Sequence, residues 1–565
     1  MRRIWMQSIP ITLPLIFILF LLAGCDKIED TPWEESEKNI FTDITGQVNL
    51  NFIHNPGVDG SYFMPESIGS GNAFLDFDND GDLDIYLING AWHGKNTPGK
   101  PSLKNHLYRQ ESDGTFVDVT EFSGLGDTGY GMGVAAGDID NDGNVDLYIS
   151  NVGHDALYRN NGDGTFSNIS RAAGITNPNW GCSIAFLDYN LDGFLDIYIT
   201  NYLEYNRSVI CRDKAGRPDY CGPTGFAGVP DILYRNNGDG TFTDKSVASG
   251  IAKGASKGLG VASGHFNDDL FPDIYVANDG EANHLWINRG DGTFRDLGLL
   301  NGAALNALGS AEASMGIALG DIDADSNLDL FVTHLRGESN TLYRNTGENG
   351  FWDETTSTRL AGPGIPFTGF GSGFFDYDND GDLDLAIANG RVTRGLLLVD
   401  RKNTNYWDDY AEPNMLFENN GSGRFQNISG FAKGFCAKIE NSRGLAFGDV
   451  DNDGDIDLLL SNSGGKARLI RNDVAGKGHW LIVRLIDPTS KSTVTGAKIT
   501  AVVNGKKIHR QVAPYYSYLS SNDPRVHFGL GSATVVEEIL IQWPDGKKQS
   551  FSGVTANQII TLEKG

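Results

Sequence analysis

The chain has 565 residues, too many for one small domain, and its 72 glycines favour turn-rich β structure over helix. It carries 73 acidic against 45 basic residues, a formal charge of −28, which argues against binding a nucleic-acid backbone, since that needs clustered Lys and Arg.

At the N-terminus, Arg2 and Arg3 precede an apolar stretch, residues 9–22. It is interrupted by Pro10, Thr12 and Pro14 and is too short for a comfortable membrane span. It ends in Leu22-Ala23-Gly24-Cys25, which resembles a bacterial lipobox. Residues 1–25 therefore read as a lipoprotein signal peptide, with Cys25 lipidated at the mature N-terminus. The expected location is the bacterial cell envelope, on a membrane through the lipid anchor, with the choice of membrane open. Residues 26–40, polar and acidic, read as a tether.

From residue 41 a repeat sets the fold. An Asp-rich segment recurs at 76–84 (DFDNDGDLD), 138–146 (DIDNDGNVD), 188–196 (DYNLDGFLD), 265–273 (HFNDDLFPD), 321–329 (DIDADSNLD), 376–384 (DYDNDGDLD) and 449–457 (DVDNDGDID). In phase with it runs a second signature: LYRQESDGTF at 107, LYRNNGDGTF at 157 and 233, LWINRGDGTF at 285, LYRNTGENGF at 342, LFENNGSGRF at 416 and the truncated LIRND at 469. A Gly-rich strand of small residues, the Asp loop, an apolar strand and a Gly/Asp-turn hairpin make one four-stranded unit. Seven such units predict an all-β, seven-bladed β-propeller over 41–475, small residues suiting the crowded centre of the ring. Unit seven lacks a fourth strand. The FTDIT at 41–45 matches the fourth strands FVDVT and FTDK, so residues 41–45 are expected to complete the last blade and close the ring. After residue 475 short strands of different character predict a small C-terminal β domain, 476–565.

Each strong Asp segment places side-chain oxygens at positions 1, 3, 5 and 9, with Gly usually at 6. Calcium takes six to eight hard oxygen ligands in flexible geometry; magnesium demands a strict octahedron, and zinc prefers nitrogen and sulfur. The expected ligands are Asp76, Asp78, Asp80 and Asp84; Asp138, Asp140, Asp142 and Asp146; Asp188, Asn190, Asp192 and Asp196; Asp321, Asp323, Asp325 and Asp329; Asp376, Asp378, Asp380 and Asp384; and Asp449, Asp451, Asp453 and Asp457. In the fourth copy His265 replaces the first acid and Leu270 the glycine, so it reads as a vestigial turn; about six Ca²⁺ are expected, seven if that copy binds. The seven segments hold 29 of the 73 acids, whose mutual repulsion a cation would relieve.

The connection from the Asp loop to the hairpin is long in three units, running 84–107, 196–233 and 384–416, and should emerge opposite the calcium loops. These insertions carry Trp92, His93 and Lys95, then Tyr202, Tyr205, Arg207 and Arg212, then Arg391, Arg394, Arg401, Tyr406, Trp407 and Tyr410. Aromatic and Arg residues dominate interfaces, so Trp92, Arg212, Arg394, Tyr406 and Trp407 mark a candidate partner face; the competing reading is that the loops pack on each other and cap the channel. Cys211 and Cys221 suit a disulfide in an oxidising compartment; Cys182 and Cys436 are either buried thiols or a long-range bridge. Arg289-Gly290-Asp291 belongs to a repeated turn. His54, Glu66 and His93 read as structural, because no nucleophile–base spacing accompanies them.

The repeats resemble the FG-GAP/VCBS repeats of integrin α-chain propellers, whose DxDxDGxxD loops bind calcium on one face. HFGLG at 527–531 and IQWPDG at 541–546 resemble the ASPIC/UnbV domain, and the combination resembles the cartilage acidic protein family. The resemblance implies an exported calcium-binding propeller and carries no shared catalytic motif, so no catalytic residue is assigned. The expected role is binding or adhesion toward a protein or glycan of the envelope or exterior, with no nucleic acid. The alternatives are a hydrolase- or cyclase-like enzyme at the insertion-lined mouth and a structural subunit of an envelope complex.

Overall fold

The computed structural model describes residues 40–93, 99–267, 269–398 and 405–565. The signal peptide, Cys25, the tether to residue 39, Lys95 and Arg401 lie outside the described residues. Among those described, seven four-stranded antiparallel sheets repeat one plan. In the second unit, Gly131–Gly137 pairs with Asp146–Asn151, that strand with Ala156–Asn160, and that one with Phe166–Asn168. Apolar residues such as Leu147 and Ile149 in the second strand are fully buried, because both faces of the strand meet neighbouring sheets.

The first strands Asn72–Leu75, Gly131–Gly137, Gly181–Leu187, Gly258–Gly264, Ile317–Gly320, Gly369–Phe375 and Ser442–Gly448 neighbour one another in cyclic order, the last returning to the first. The strand Phe41–Asp43 pairs with Arg468–Asn472, so the chain's beginning supplies the outer strand of the last sheet.

A ring of hydrogen bonds ties each sheet to the one before it. The amide of the last residue in each LYRN-type strand donates to the carbonyl of the second loop residue of the preceding unit: Asn160 to Phe77, Asn236 to Ile139, Asn288 to Tyr189, Asn345 to Phe266, Asn419 to Ile322 and Asn472 to Tyr377. Gln110 donates to Val450 and completes the circle. Each bond contributes about 1 kcal/mol net, and all are buried, so losing one partner costs more than forming the bond gained.

The C-terminal domain contains two sheets. His479–Ile486 pairs antiparallel with Val526–Gly531 and parallel with Gln558–Glu563; the second sheet orders Lys506–Gln511, Lys498–Val503, Val535–Gln542 and Lys548–Thr555. Its own core includes Val483, Ile499, Phe528 and Trp543. It is nevertheless not a separate appendage. Residues 512–525, between Gln511 and Val526, leave the domain and enter the centre of the ring. There Ser517 exchanges two backbone bonds with Ile317 (2.9 and 2.7 Å), Leu519 accepts from Val134 N–H, Ser521 accepts from Phe74 N–H, and Ser517 Oγ donates to Leu445 O. The Tyr518 hydroxyl donates to Ile68 O at 3.1 Å. Except for Ile68, which follows the turn Met64–Ser67, these are backbone groups of first strands, which no fifth strand could reach in a closed ring, and the inserted segment satisfies them.

The fit depends on glycine. A Cβ on Gly71 would lie 2.0 Å from Leu519 O and 2.9 Å from Met132 O, both backbone atoms that cannot rotate away. Gly71→Ala should therefore lower unfolding free energy by about 1–3 kcal/mol and raise hydrogen exchange at 517–521. Unchanged exchange in that segment, measured by mass spectrometry, would refute the plug's dependence on this contact.

Candidate functional site

The Asp loops all lie at one end of the sheets, where the first strand turns into the second. The ninth-position carboxylate does the same work in every copy. One oxygen accepts from the second loop residue's N–H and the other from the end of the hairpin strand, at 2.7–3.2 Å: Asp84 holds Phe77 and Gln110, Asp146 holds Ile139 and Asn160, and Asp196 holds Tyr189 and Asn236. Asp273, Asp329, Asp384 and Asp457 repeat the pattern. Position 1 accepts from the sixth-position N–H, as Asp138 does from Gly143 (2.8 Å) and Asp376 from Gly381 (2.8 Å), which curls the loop around its own carboxylates.

Burial then works against charge. It pushes Asp84, Asp146, Asp196, Asp273 and Asp376 up to about 8, with neighbouring loop carboxylates adding to the rise. Ligand atoms of Asp76, Asp78 and Asp84 lie within 4.8 Å of one another, as do those of Asp138, Asp140 and Asp146, of Asp321, Asp323 and Asp325, and of Asp376, Asp378 and Asp384. Asp76 Oδ1, Asp140 Oδ1 and Asp323 Oδ1 are buried without a hydrogen-bond partner. An all-oxygen donor set with orphaned carboxylate oxygens fits a hard divalent cation. Asp80, Asp142, Asp325, Asp380, Asp451 and Asp453 stand in the same loops, and Asp453 accepts from the Lys477 ammonium at 3.4 Å. In the third copy the Asn190 amide donates to the Asp192 carboxylate (2.8 Å) and its carbonyl oxygen accepts from Asp192 N–H (3.1 Å), beside Asp188, which accepts from Gly193 N–H. In the fifth, Asp323 pairs with the Arg344 guanidinium, a charge already inside the loop. Asp78, Asp140, Asp378 and Asp449 are also raised by burial, and Asp321 and Asp329 likewise.

Position 4 is a functional residue that the ligand pattern conceals. Asn79, Asn141, Asn379 and Asn452 adopt φ of 57–62°, which Asn tolerates better than most residues, and reach to the next loop. Asn79 donates to Gly143 O, Asn141 to Gly193 O and Asn379 to Gly454 O, linking successive loops. The recurrence of Asn between the third and fifth positions was the available signal.

The C-terminal domain covers this face. Arg525 donates to Asp449 O and Asn452 Oδ1, His527 Nε2 meets Gly454 O at 3.1 Å, Arg510 donates to Gly381 O, and Gly531 N–H donates to Asn379 O. Gly529 of the HFGLG motif lies so close to the sixth loop that a Cβ would sit 1.9 Å from Asp376 Oδ2. Ser492 donates to Asp138. The loop departures now have a cause: His265 Nε2 lies 3.1 Å from Gly496 O, Leu270 lies against Pro544 and Gly546 of the IQWPDG turn, and Ser326 Oγ bonds His509 Nε2 at 2.8 Å. The fourth loop is a docking point for the C-terminal domain.

The three insertions meet at the opposite end. Trp407 is buried, stacked on Tyr220 with ring planes 8° apart, and Tyr410 is fully buried with its hydroxyl on Asp219. Arg394 is held by Asp409 (3.0 Å), by Tyr62 OH (3.2 Å) and, at 3.4 Å, by Asp213. These two anchors of the expected partner face are therefore internal to the cap: the loops' aromatic area is spent on each other. Tyr406 remains 38% exposed, Arg212 is exposed, and half-buried Trp92 donates to Pro101 O beneath Lys100. Sequence reading missed the exposed apolar residues of the same insertions, Ile210 (73%) and Leu396 (77%). Cys211 and Cys221 form a disulfide, Cα atoms 5.1 Å apart, and Cys182 and Cys436 are buried free thiols. His54 accepts from Gly464 N–H, whereas Glu66 and His93 meet at 2.8 Å.

Comparison with known proteins gives a consistent result. The ASPIC and UnbV family matches residues 487–565, and the FG-GAP-like repeat matches 76–149, 141–199, 265–332 and 321–387. Cartilage acidic protein 1 of Xenopus tropicalis is 27% identical over 86% of this chain and 71% of its own length; that of Homo sapiens is 26% identical over 98% and 78%. Among solved structures, an Agrocybe aegerita lectin that recognises non-reducing terminal N-acetylglucosamine has a TM-score of 0.39 at 14% identity, covering 72% of this chain and 94% of that one. YCF48 bound to a D1 peptide has 0.41 at 9% identity, covering 75% and 94%.

The ninth-position role separates structure from metal. Asp273→Asn, in the fourth copy, should cost about 1–3 kcal/mol whether calcium or chelator is present, since an amide cannot accept at both ends. Urea unfolding of this variant at wild-type stability would show that the carboxylate is not a strap.

Proposed function

We propose that this homologue of the cartilage acidic proteins, with FG-GAP-like repeats and an ASPIC and UnbV domain, is an exported interaction module, anchored through lipidated Cys25 and stiffened by calcium in its Asp loops. The observation that carries the calcium reading is the set of buried carboxylate clusters with orphaned oxygens at Asp76, Asp140 and Asp323. One Ca²⁺ per loop would offset with its two charges the repulsion that the buried carboxylates otherwise relieve by protonation.

The same arrangement supports a partner on the other face. The C-terminal domain lies over the Asp loops, and the insertions present Tyr406, Arg212, Ile210 and Leu396 to solvent. Exposed aliphatic side chains on the same insertions as an exposed aromatic fit a protein surface better than a glycan. The net charge of −28 disfavours nucleic acid.

Two measurements test this. Chelation should lower the melting temperature by at least about 5 °C, because a site held at 100 times its dissociation constant contributes about 2.7 kcal/mol; an unchanged curve after verified metal removal would sink the calcium reading. Ile210→Asp with Leu396→Asp should leave the calcium-loaded melting temperature unchanged and reduce capture of envelope proteins at least about tenfold, the loss of one anchoring apolar contact. Equal capture by wild type and the double variant would move the partner elsewhere.

A further inference from the structure

Glu66 is a fully buried carboxylate in the short turn Met64–Ser67, ahead of the first strand of the first sheet. Among the described residues its ion-pair partner is His93 alone, Nε2 to Oε1 at 2.8 Å; its other oxygen accepts the Tyr220 hydroxyl at 2.6 Å. Asp59 completes a triad: one ligand atom each from Asp59, Glu66 and His93 lie within 4.8 Å of one another. The three come from the segment before the first sheet and from the first insertion, and Tyr220 of the second insertion sets the carboxylate's orientation.

We propose that Asp59, Glu66 and His93 hold one divalent transition-metal ion of the zinc class at the insertion-lined mouth, a site separate from the calcium loops. The chemistry differs from the loops in one decisive way. A hard-oxygen loop selects calcium, whereas an imidazole nitrogen beside two carboxylates suits zinc, iron, nickel or copper. Two carboxylates beside an imidazole present negative charge and donor atoms to a dication; the Arg207 guanidinium reaches the His93 carbonyl, and no Lys or Arg among the described residues pairs with Glu66. Metal–ligand distances of about 2.0–2.2 Å require donor atoms about 3–4 Å apart, so the His93–Glu66 pair at 2.8 Å would open slightly while Asp59 stays within reach.

The surroundings hold the ligands as a metal site needs. The His93 ring lies 4.3 Å from the Phe63 ring and 5.9 Å from that of Tyr130, and its side chain is 5% exposed. Its carbonyl accepts from Arg207 at 3.0 Å. Tyr220 OH, which orients Glu66, is itself 3.0 Å from Tyr406 OH. Asp59 is exposed, and its carboxylate accepts from Ser61 N–H at 2.9 Å, which fixes the loop that carries it. Three protein ligands leave a coordination position for water or for a donor atom of a bound partner.

The test uses the full chain in excess Ca²⁺, so that the loops are filled, with Zn²⁺ and Co²⁺ as probes. One Zn²⁺ per chain should survive desalting, and Co²⁺ should give a ligand-field spectrum in the visible. His93→Gln should weaken Zn²⁺ binding more than about 100-fold and abolish the Co²⁺ bands; Tyr220→Phe, which removes only the orienting hydroxyl, should weaken it about tenfold. Asp59→Asn alters an exposed side chain that folding does not need, and should also weaken binding at least about tenfold. No retained Zn²⁺ in the calcium-loaded wild type, or wild-type affinity in both His93→Gln and Asp59→Asn, would overturn the assignment.

Discussion

Seven buried aspartates at the ends of the second strands carry the architecture. Each accepts one N–H from its own loop and one from the hairpin strand beside it, and the hairpin's terminal amide then bonds the preceding sheet. A blade is thus joined internally and to its neighbour through adjacent hydrogen bonds, all in low dielectric, where an unmet partner is costly. Because Gln110 bonds Val450 and Phe41–Asp43 pairs with the last hairpin, the circuit has no free end. The same carboxylates stand at the edge of the acidic clusters, so strand geometry and the shape of each cluster are set by one group.

The end of the ring that carries the clusters is also where the C-terminal domain sits. Arg525, His527 and Arg510 address the backbone carbonyls of the loops, and residues 512–525 fill the centre. Polar contacts of this kind require the loops to keep one shape, which a bound cation would enforce. The loops are thus a scaffold element shared by the ring and its lid, and the departures at His265, Leu270 and Ser326 are contacts with that lid.

At the other end the insertions solve a different problem. They close the ring's mouth by packing Trp407, Tyr410 and Tyr220 together and by pairing Arg394 with carboxylates. What remains outside is a small set of aliphatic and aromatic residues, among them Ile210, Leu396 and Tyr406. A rigid cap with a few exposed anchors is the arrangement expected of a recognition surface on a stable scaffold.

Much of this was readable in the chain because it repeats. Spacing identified the four-stranded unit, the Asp positions and the closing strand at 41–45, since local patterns of period two and fixed loop chemistry do not depend on distant contacts. Even the position-4 Asn and the hairpin Asn were visible as recurrences, although their partners in the next sheet were not. Three things needed the tertiary structure. The insertion of residues 512–525 into the ring has no local signature, because its hydrogen bonds go to strands hundreds of residues away. The burial of Trp407 and Arg394, and the exposure of Ile210 and Leu396, follow from how three unrelated loops pack, which composition cannot rank. The meeting of Asp59, Glu66 and His93, and the separation of His54 from them, is a matter of a few ångströms that only the folded chain fixes.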